Sequence, residues 1–577
     1  MAFQTLQGWL NELQNNRAQP ETSSSDGSES EQTNAESDID ENVIAEVDSD
    51  ESDVDLDPES DHETENERTE WSETLRDVRL EPFQEPVGPL HNLDENSKPI
   101  DFFHLFVPPT FLDEIVVQTN LYAEQCQNNK GKRDTYWKAV TVSDIRKFLY
   151  LNIMFGIHHV PDSRLYWSVD PVLRVPAVAD VMSRQRFEKI NQYFHLNDST
   201  KMPNRGEENY DPLFKLRPLL DTVRTACGSS YKPGRNISID EAMIGFNGRL
   251  HFKQYIRNKP TKWGIKVWCV AEAETGYMLN FRFYTGKINE PMTDGVGHHV
   301  VMNCAADYLG KYHCIYFDNY FSSVRLAEDL LKKKTYSCAT VRTNRKGWPF
   351  PTKNKQKKGT LNMKQRGTMV ATQWHDKRPV NVLSTCCNPT TTDVTRRTKE
   401  GVVPQTIPTP VHDYNQNMSG VDLADQYRSY YNIGRPGKKW WRYGVWFLIQ
   451  TAIINAFLLM RRANPNARRR SPGADHLHFR IALLQDLLRE TPSSSTTINT
   501  RESPSVSARA NPNNEQHKLV KIPGRKKTCY VCSKAKRKTN KGRGVETVYG
   551  CTYCGIHLCK GRCFTTYHRS LELDEPL

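Results

Sequence analysis

Nowhere in this 577-residue chain do about 18 uncharged apolar residues follow one another, the length a membrane-crossing helix needs. No membrane partner is therefore expected. The opening MAFQTLQGWLNELQ lacks a basic start and a continuous apolar run, so it does not read as a secretory signal. A disulfide framework is also missing. Outside the last fifty residues the cysteines, Cys126, Cys227, Cys269, Cys304, Cys314, Cys338, Cys386 and Cys387, are scattered, which fits reduced thiols in the nucleus or cytosol. Residues 21–72 are poor in aromatics and dominated by Asp, Glu and Ser, and such a stretch cannot offset the entropy of ordering. It is expected to be disordered, either as a solubilising tail or as a substrate for an acidophilic kinase at serines such as Ser49 and Ser52. Ahead of it, Phe3, Leu6, Trp9, Leu10 and Leu13 repeat at helical spacing, as in a partner-docking helix or a transient one.

The net charge of +10 conceals this acidic block, so the remainder is more basic than the average. From Pro99 apolar residues recur at the 3.6-residue period, and 100–230 read as mostly helical. After Asn236 the period changes to two. NISIDEAMIGF, KVWCVAEA and YMLNFRFYTG read as strands, the last two joined by a turn at Glu274-Thr275-Gly276. A helix from Gly295, the strand HCIYFD and the helix RLAEDLLKK follow, the order of a mixed α/β core with a parallel pair. The basic, turn-rich stretch after Val341 reads as an insertion in that core. WWRYGVWFLIQTAIINAFLLMRR has charged ends and interior Gln450, Thr451 and Asn455, and is expected as a buried core helix.

The tail carries the order C-x2-C, C-x2-C-x2-H-x-C-x3-C-x4-H: Cys529, Cys532, Cys551, Cys554, His557, Cys559, Cys563 and His568. Eight such ligands suffice for two tetrahedral Zn²⁺ ions, and structural zinc can fold a segment too short and polar to fold alone. The spacing suggests a cross-brace, with Cys529, Cys532, His557 and Cys559 on one zinc and Cys551, Cys554, Cys563 and His568 on the other. A consecutive arrangement, or one zinc with spare cysteines, is also compatible. Such modules serve ubiquitin ligases and histone readers too. Here Lys526, Lys527, Arg537 and Lys538 crowd the first pair, which favours nucleic acid and also reads as a nuclear localisation signal.

Three aspartates stand out by position: Asp240 in the first strand, Asp318 at the end of a later strand, and Asp422 opening a helix in which Asp425 follows at i+3. Singly, each is as consistent with a cap or turn as with catalysis. Their surroundings, ISIDEAMIGFNGRLHFKQY, YFDNYFSS and DYNQNMSGVDLADQY, resemble the catalytic blocks of the piggyBac transposase family. IRNKPTKWGIKVWCVAEAETGY, VRTNRKGWP and the Cys/His tail resemble family segments in the same order, so the likeness spans about residues 95–577. The resemblance implies an α/β fold: an RNase H-like core with an insertion domain, a helical dimerisation and DNA-binding domain built from both sides, and a zinc-binding tail. The family triad falls on Asp240, Asp318 and Asp422, its additional aspartate on Asp425. Two catalytic Mg²⁺ ions would sit on the triad, for cleavage at transposon ends and joining to TTAA target DNA.

The basic clusters match a DNA partner, since duplex DNA carries one charge per about 1.7 Å of axis. Arg249, Lys253, Arg257, Lys259 and Lys262 surround the strand after Asp240; Arg342, Arg345 and Lys346 crowd the insertion; Lys438 and Lys439 precede the long helix, where Trp440 and Trp441 offer surfaces for base stacking. A charge run is otherwise a solvated face, and paired tryptophans are otherwise core.

These readings divide the chain into a disordered acidic region (1–95), a helical domain (96–234 and 432–490), an RNase H-like core (235–344 and 409–431), an insertion (345–408), a linker (491–524) and a zinc module (525–577). The function expected is a nuclear, dimeric cut-and-paste transposase acting on terminal repeats. A domesticated descendant, silent in catalysis but still DNA-binding, is the alternative.

Overall fold

The computed structural model describes residues 70–489 and 519–573, apart from 258, 287–293, 352–355, 399–400, 435–436, 466–470, 522–525, 536, 540–541, 552–555 and 561. The N-terminal helical pattern, Ser49, Ser52, most of the linker and Cys554 lie outside the described residues. The chain divides into two compact units, one ending at Pro492 and one starting at Ser493.

The larger unit opens with helices α1 (Pro99–His104), α2 (Pro109–Lys130), α3 (Val142–Ile157), α4 (Arg184–Tyr193) and α5 (Arg217–Ser230). Proline in the first turn of α1, α2 and α5 suits positions whose N–H has no helical partner. At α3 a capping box does this work: the Asp144 N–H donates to Thr141 Oγ1 (3.3 Å), and the Thr141 N–H donates to the Asp144 carboxylate (3.0 Å).

The switch to period two produces strands β1 (Asn236–Gly245), β2 (Gln254–Tyr255), β3 (Trp263–Glu272) and β4 (Met278–Phe283). Gly276 takes φ +73° in the turn between β3 and β4. Then come α6 (Gly295–Cys304), β5 (Cys314–Phe317), α7 (Val324–Lys332) and β6 (Tyr336–Thr340). β7 (Leu361–Arg366), β8 (Met369–His375) and β9 (Pro379–Ser384) follow. All nine strands share one sheet in the order β2-β3-β1-β5-β6-β9-β8-β7, with β4 also on β3. β1, β5 and β6 are parallel, joined by helical crossovers, and the flanking strands are antiparallel.

The stretch 345–408, expected as an insertion, thus lengthens the core sheet by three strands through the β6–β9 pairing. Only β10 (Thr391–Thr398) and β11 (Gly401–Pro408) form a hairpin of their own. Helices α8 (Thr409–Asn417), α9 (Gly420–Tyr430), α10 (Trp440–Ala463) and α11 (Pro472–Arg489) complete the unit.

One apolar core joins sheet and helices: Ile237, Ile239, Ile315 and Phe317 from the strands, Phe102 and Phe103 from α1, Leu448, Ile453 and Ile454 from α10. By length and composition α10 could cross a membrane, but it lies buried in this core. Its interior Asn455 donates to the Met278 carbonyl (2.8 Å) and accepts from the Met278 N–H (2.9 Å), so the polar side chain completes the backbone bonding of edge strand β4.

The acidic region expected to run to residue 95 ends earlier, because residues 70–89 form an extended strap over the sheet. Ser72 pairs with Gln365 on β7, with backbone bonds of 2.9 Å in each direction. Trp71 Nε1 donates to the Gly347 carbonyl (3.0 Å), the Val78 N–H to Asn388 (2.7 Å), and the Glu81 N–H to the Tyr336 hydroxyl (2.9 Å). Gly88–Pro89 then pairs with Tyr231–Lys232. These polar partners act together with apolar anchors, Trp71 and Leu80 against buried clusters and Phe83 against His313, to order the segment.

The smaller unit holds short strands β12 (Leu519–Lys521), β13 (Lys527–Thr528), β14 (Glu546–Thr547), β15 (Tyr549–Cys551) and β16 (Ile556–His557), with helices at Tyr530–Lys534 and Arg562–Leu573. Its small core is made largely of cysteines.

Candidate active site

The parallel register of β1 and β5 pairs Asn236 with Cys314 and runs to Ile239 with Phe317. The next residues are Asp240 and Asp318, so two acids 78 positions apart in sequence stand side by side on neighbouring strands, roughly 4.8 Å apart by strand spacing. Asp240 shares a face with Ser238, two residues earlier. Ser238 Oγ accepts the N–H of Val421 (3.2 Å), which pins the first turn of α9 to that face. The approach needs glycine at 420, where a Cβ would lie 2.7 Å from the Glu272 carbonyl oxygen and closer still to Ser238 Oγ. Asp422, two residues on, lies near enough to Asp240 for that charge to raise its carboxyl pKa, after burial.

Burial and then the Asp240 charge raise the carboxyl pKa of both Asp318 and Asp422. Asp318 Oδ1 accepts the Tyr320 N–H (2.9 Å), and Asp240 Oδ1 the Glu241 N–H (2.8 Å). Lys259 sets Nζ on Asp240 Oδ2 at 2.9 Å, in a pair whose side chains are 21% and 15% exposed. Burial lowers the lysine pKa, but Asp240 and Glu241 outweigh it and the ammonium is held charged.

Asp425 instead forms an ion pair with Arg428 on its own helix. Glu241 was not among the expected residues. Burial, followed by the Asp240 charge, raises its carboxyl pKa to about 8, and its Oε2 is buried with no hydrogen-bond partner. The signal was the Asp-Glu pair inside a strand, where a second, largely buried acid is unusual.

Several expected DNA-contact residues have partners within the protein. Lys259 is committed to Asp240. Lys253 donates to the Gly248 carbonyl (3.1 Å) and lies 5.1 Å over the Trp263 ring. Arg342 donates to Asn319 (3.2 Å) and Arg345 to the Tyr320 carbonyl (3.0 Å), which braces the turn after Asp318. Lys439 reaches the Tyr122 hydroxyl (3.4 Å) and ring. Arg249, Arg257, Lys262, Arg342, Lys346 and Lys438 are exposed, as are Lys526, Lys527, Arg537 and Lys538 in the tail. Trp441 is no stacking platform: it is buried and stacks on Phe194. Trp440 packs edge-on against Phe252.

In the tail, the cross-brace pairing suggested by spacing is not the one observed. Cys529, Cys532, Cys559 and Cys563 have their sulfurs within 4.8 Å of one another, so Cys563 takes the place assigned to His557. The helix at Arg562 begins one residue before Cys563 and delivers that sulfur to 3.6 Å from Cys532 Sγ. Burial alone would raise the Cys529 thiol, but N–H donation from Cys532 and Cys559 brings it down to about 7. Of the remaining ligands, His557 has a buried Nδ1 without a hydrogen-bond partner, while His568 Nδ1 bonds to the Phe564 carbonyl (2.8 Å).

Acidic side chains thus gather across two adjacent parallel strands and a helix start, at one end of an α/β sheet, where ligands of such sheets are held. The family model described as Transposase IS4 matches residues 98–457, and the chain belongs to that family, in its piggyBac branch. It is 27% identical over 414 residues to human PiggyBac transposable element-derived protein 5, covering 68% of this chain and 76% of that one. For human PiggyBac transposable element-derived protein 3 the identity is 29% over 397 residues, 63% of each chain, and for protein 2 it is 28% over 412 residues, 67% of this chain and 66% of that one. The cryo-EM structure of the piggyBac transposase synaptic complex with hairpin DNA aligns with a TM-score of 0.61 and 24% identity, over 82% of this chain and 99% of that one, and shares its fold.

Proposed function

We propose that this chain is a cut-and-paste DNA transposase with an RNase H-like core, and that Asp240, Asp318 and Asp422 hold its catalytic Mg²⁺ ions. The observation that carries the reading is the convergence of three carboxylates, in which burial and then the Asp240 charge raise the pKa of the other two. Such a donor set, all hard oxygen and short of positive charge, fits divalent magnesium. When bound, the ions would polarise a phosphodiester and acidify the attacking water or 3′-OH. The protein's own part is to hold the three acids in place through the β1–β5 register and the Ser238–Val421 bond. Lys259 neutralises Asp240 and is placed to yield that oxygen to a divalent ion. Asp425 pairs with Arg428 within α9, and Glu241, its carboxyl raised to about 8, stands next to Asp240 as a largely protonated acid.

On this reading the exposed basic residues of the core and tail contact double-stranded DNA, namely transposon terminal repeats and TTAA target. The protein acts as a homodimer in the nucleus. The tail binds two structural Zn²⁺ ions, one on Cys529, Cys532, Cys559 and Cys563, the other on Cys551, Cys554, His557 and His568. The names of the human relatives, derived from transposable elements, favour a second reading in which the chain binds DNA without cutting it. An excision assay on a plasmid carrying the element's own terminal repeats separates the two: Asp240→Ala and Asp318→Ala should abolish Mg²⁺-dependent excision. A wild type that excises no better than these variants refutes the enzymatic reading.

A further inference from the structure

The thiols outside the tail have no pattern in sequence, yet four of them, Cys314, Cys338, Cys386 and Cys387, meet in the fold, and the last three share a ligand-sized space with a carboxylate. Cys338 lies on β6, Cys386 and Cys387 follow β9 directly, and Asp413 lies on α8; one ligand atom from each falls within 4.8 Å of all the others. Cys386 Sγ and Cys387 Sγ are 3.8 Å apart, and Asp413 Oδ2 lies 3.8 Å and 3.2 Å from them. Zinc with Zn–S of about 2.3 Å and Zn–O of about 2.0 Å in a tetrahedron requires edges of about 3.8 Å between sulfurs and about 3.5 Å from sulfur to oxygen. The side chains stand near those spacings already.

We propose that Cys338, Cys386, Cys387 and Asp413 form a structural zinc site within the core unit. The carboxylate is oriented as a ligand's would be: the Tyr316 hydroxyl donates to Oδ2 (2.8 Å) and the Asn417 amide to Oδ1 (3.2 Å). Cys338 and Cys387 are buried, and Trp374, Val382, Ile407, Val411 and Tyr414 pack around the group. Three soft thiolates, two of them buried, suit zinc in a structural role rather than a hard ion in a catalytic one.

The site ties α8 to β6 and to the exit of β9. From the same helix Asn417 accepts a bond from Asn236, the first residue of β1 (2.8 Å), and three residues later α9 begins. The zinc would therefore fasten the joint from which Asp422 is presented, a consequence that rests on the catalytic reading above; the metal site itself does not.

The test is zinc content of the full-length protein, produced in zinc-supplemented medium, by plasma mass spectrometry. Cys387→Ser and Asp413→Asn should each lose one equivalent relative to the parent, whereas Cys563→Ser, in the tail, should leave that equivalent in place. A parent-like zinc content in Cys387→Ser overturns the proposal. Where a variant fails to fold, differential alkylation of the parent decides: stripping zinc with a chelator should raise labelling of Cys338, Cys386 and Cys387 by about tenfold, because bound thiolates are shielded from the reagent. Equal labelling with and without chelator, or recovery of these cysteines as a disulfide, overturns the proposal as well. Loss of zinc from the tail alone would count against the tail assignment and leave this one standing.

Discussion

Lys259→Met should weaken the core unit in the absence of divalent cations and make it more responsive to them. Methionine keeps the unbranched apolar stem and removes only the ammonium. At 2.9 Å the pair with Asp240 is worth about 6 kcal/mol of gross attraction at an effective dielectric constant of about 20. Desolvation of the lysine and residual exposure of both groups take most of this back, and the net loss on leaving Asp240 among Glu241, Asp318 and Asp422 is about 2–3 kcal/mol. For a unit of this size the loss lowers the calorimetric Tm by about 2–5 °C. The ammonium also competes with a divalent ion for Asp240 Oδ2, so its removal should tighten Mg²⁺ binding by about tenfold, each factor of ten being about 1.4 kcal/mol. Scanning calorimetry along a Mg²⁺ titration, without chelator so that soft-metal sites keep their ions, reads both effects. Parent and variant should differ most without Mg²⁺ and converge as it saturates. Equal Tm without Mg²⁺, or parallel titration curves, would refute the assignment of Lys259 as the internal counter-ion of this site.

Asp318→Asn should abolish strand cleavage and at the same time raise Tm in Mg²⁺-free buffer, because it removes a charge that burial and Asp240 disfavour; a variant that both cuts and melts like the parent contradicts the site. Glu241→Gln has a signed pH dependence. The folded carboxyl is raised to about 8 against about 4.3 unfolded, so the native state takes up a proton between those values and its stability falls as pH rises through that window. The gain in Tm from Gln should therefore be small at about pH 5 and larger at about pH 8, and a pH-independent gain would count against it. Gly420→Ala puts a methyl group against Ser238 and the Glu272 carbonyl, costing about 1–3 kcal/mol and moving Asp422; cleavage should fall by about 100-fold, and retention of both stability and cleavage would show that α9 is not seated as described.

β1 is legible from the alternation of Ile237 and Ile239, β5 as a short apolar run buried on both faces, and the helix α6 just ahead of β5 points to a crossover into a parallel strand. Their register then makes Asp240 and Asp318 neighbours. That these acids and Asp422 form a triad came from family resemblance, since each alone reads equally well as a cap. β6 and β7 escaped notice for physical reasons: YSCAT is short, and LNMKQR carries charge on a half-exposed sheet edge. The role of Lys259 was hidden because a lysine in a basic run looks the same whether it faces DNA or an aspartate. Trp441 shows the reverse, an aromatic beside lysines that the fold buries. Cys338 and the Cys386–Cys387 pair meet only through the β6–β9 pairing, a contact between segments whose spacing follows no metal-binding pattern.

The strap at residues 70–89 bears on how the chain is made. Its anchors lie far downstream: Trp71 bonds to a residue 276 positions later, Arg76 to one 289 later and Val78 to one 310 later. During synthesis at about 5–20 residues per second, the strap leaves the ribosome about 15–60 s before its partners exist. It can close over the sheet only after β7 and the segment around Asn388 have emerged, so its docking is a late event that reports completion of the core. Truncating it should leave early folding unaffected and expose the β7 edge, where an unpaired strand invites association between copies.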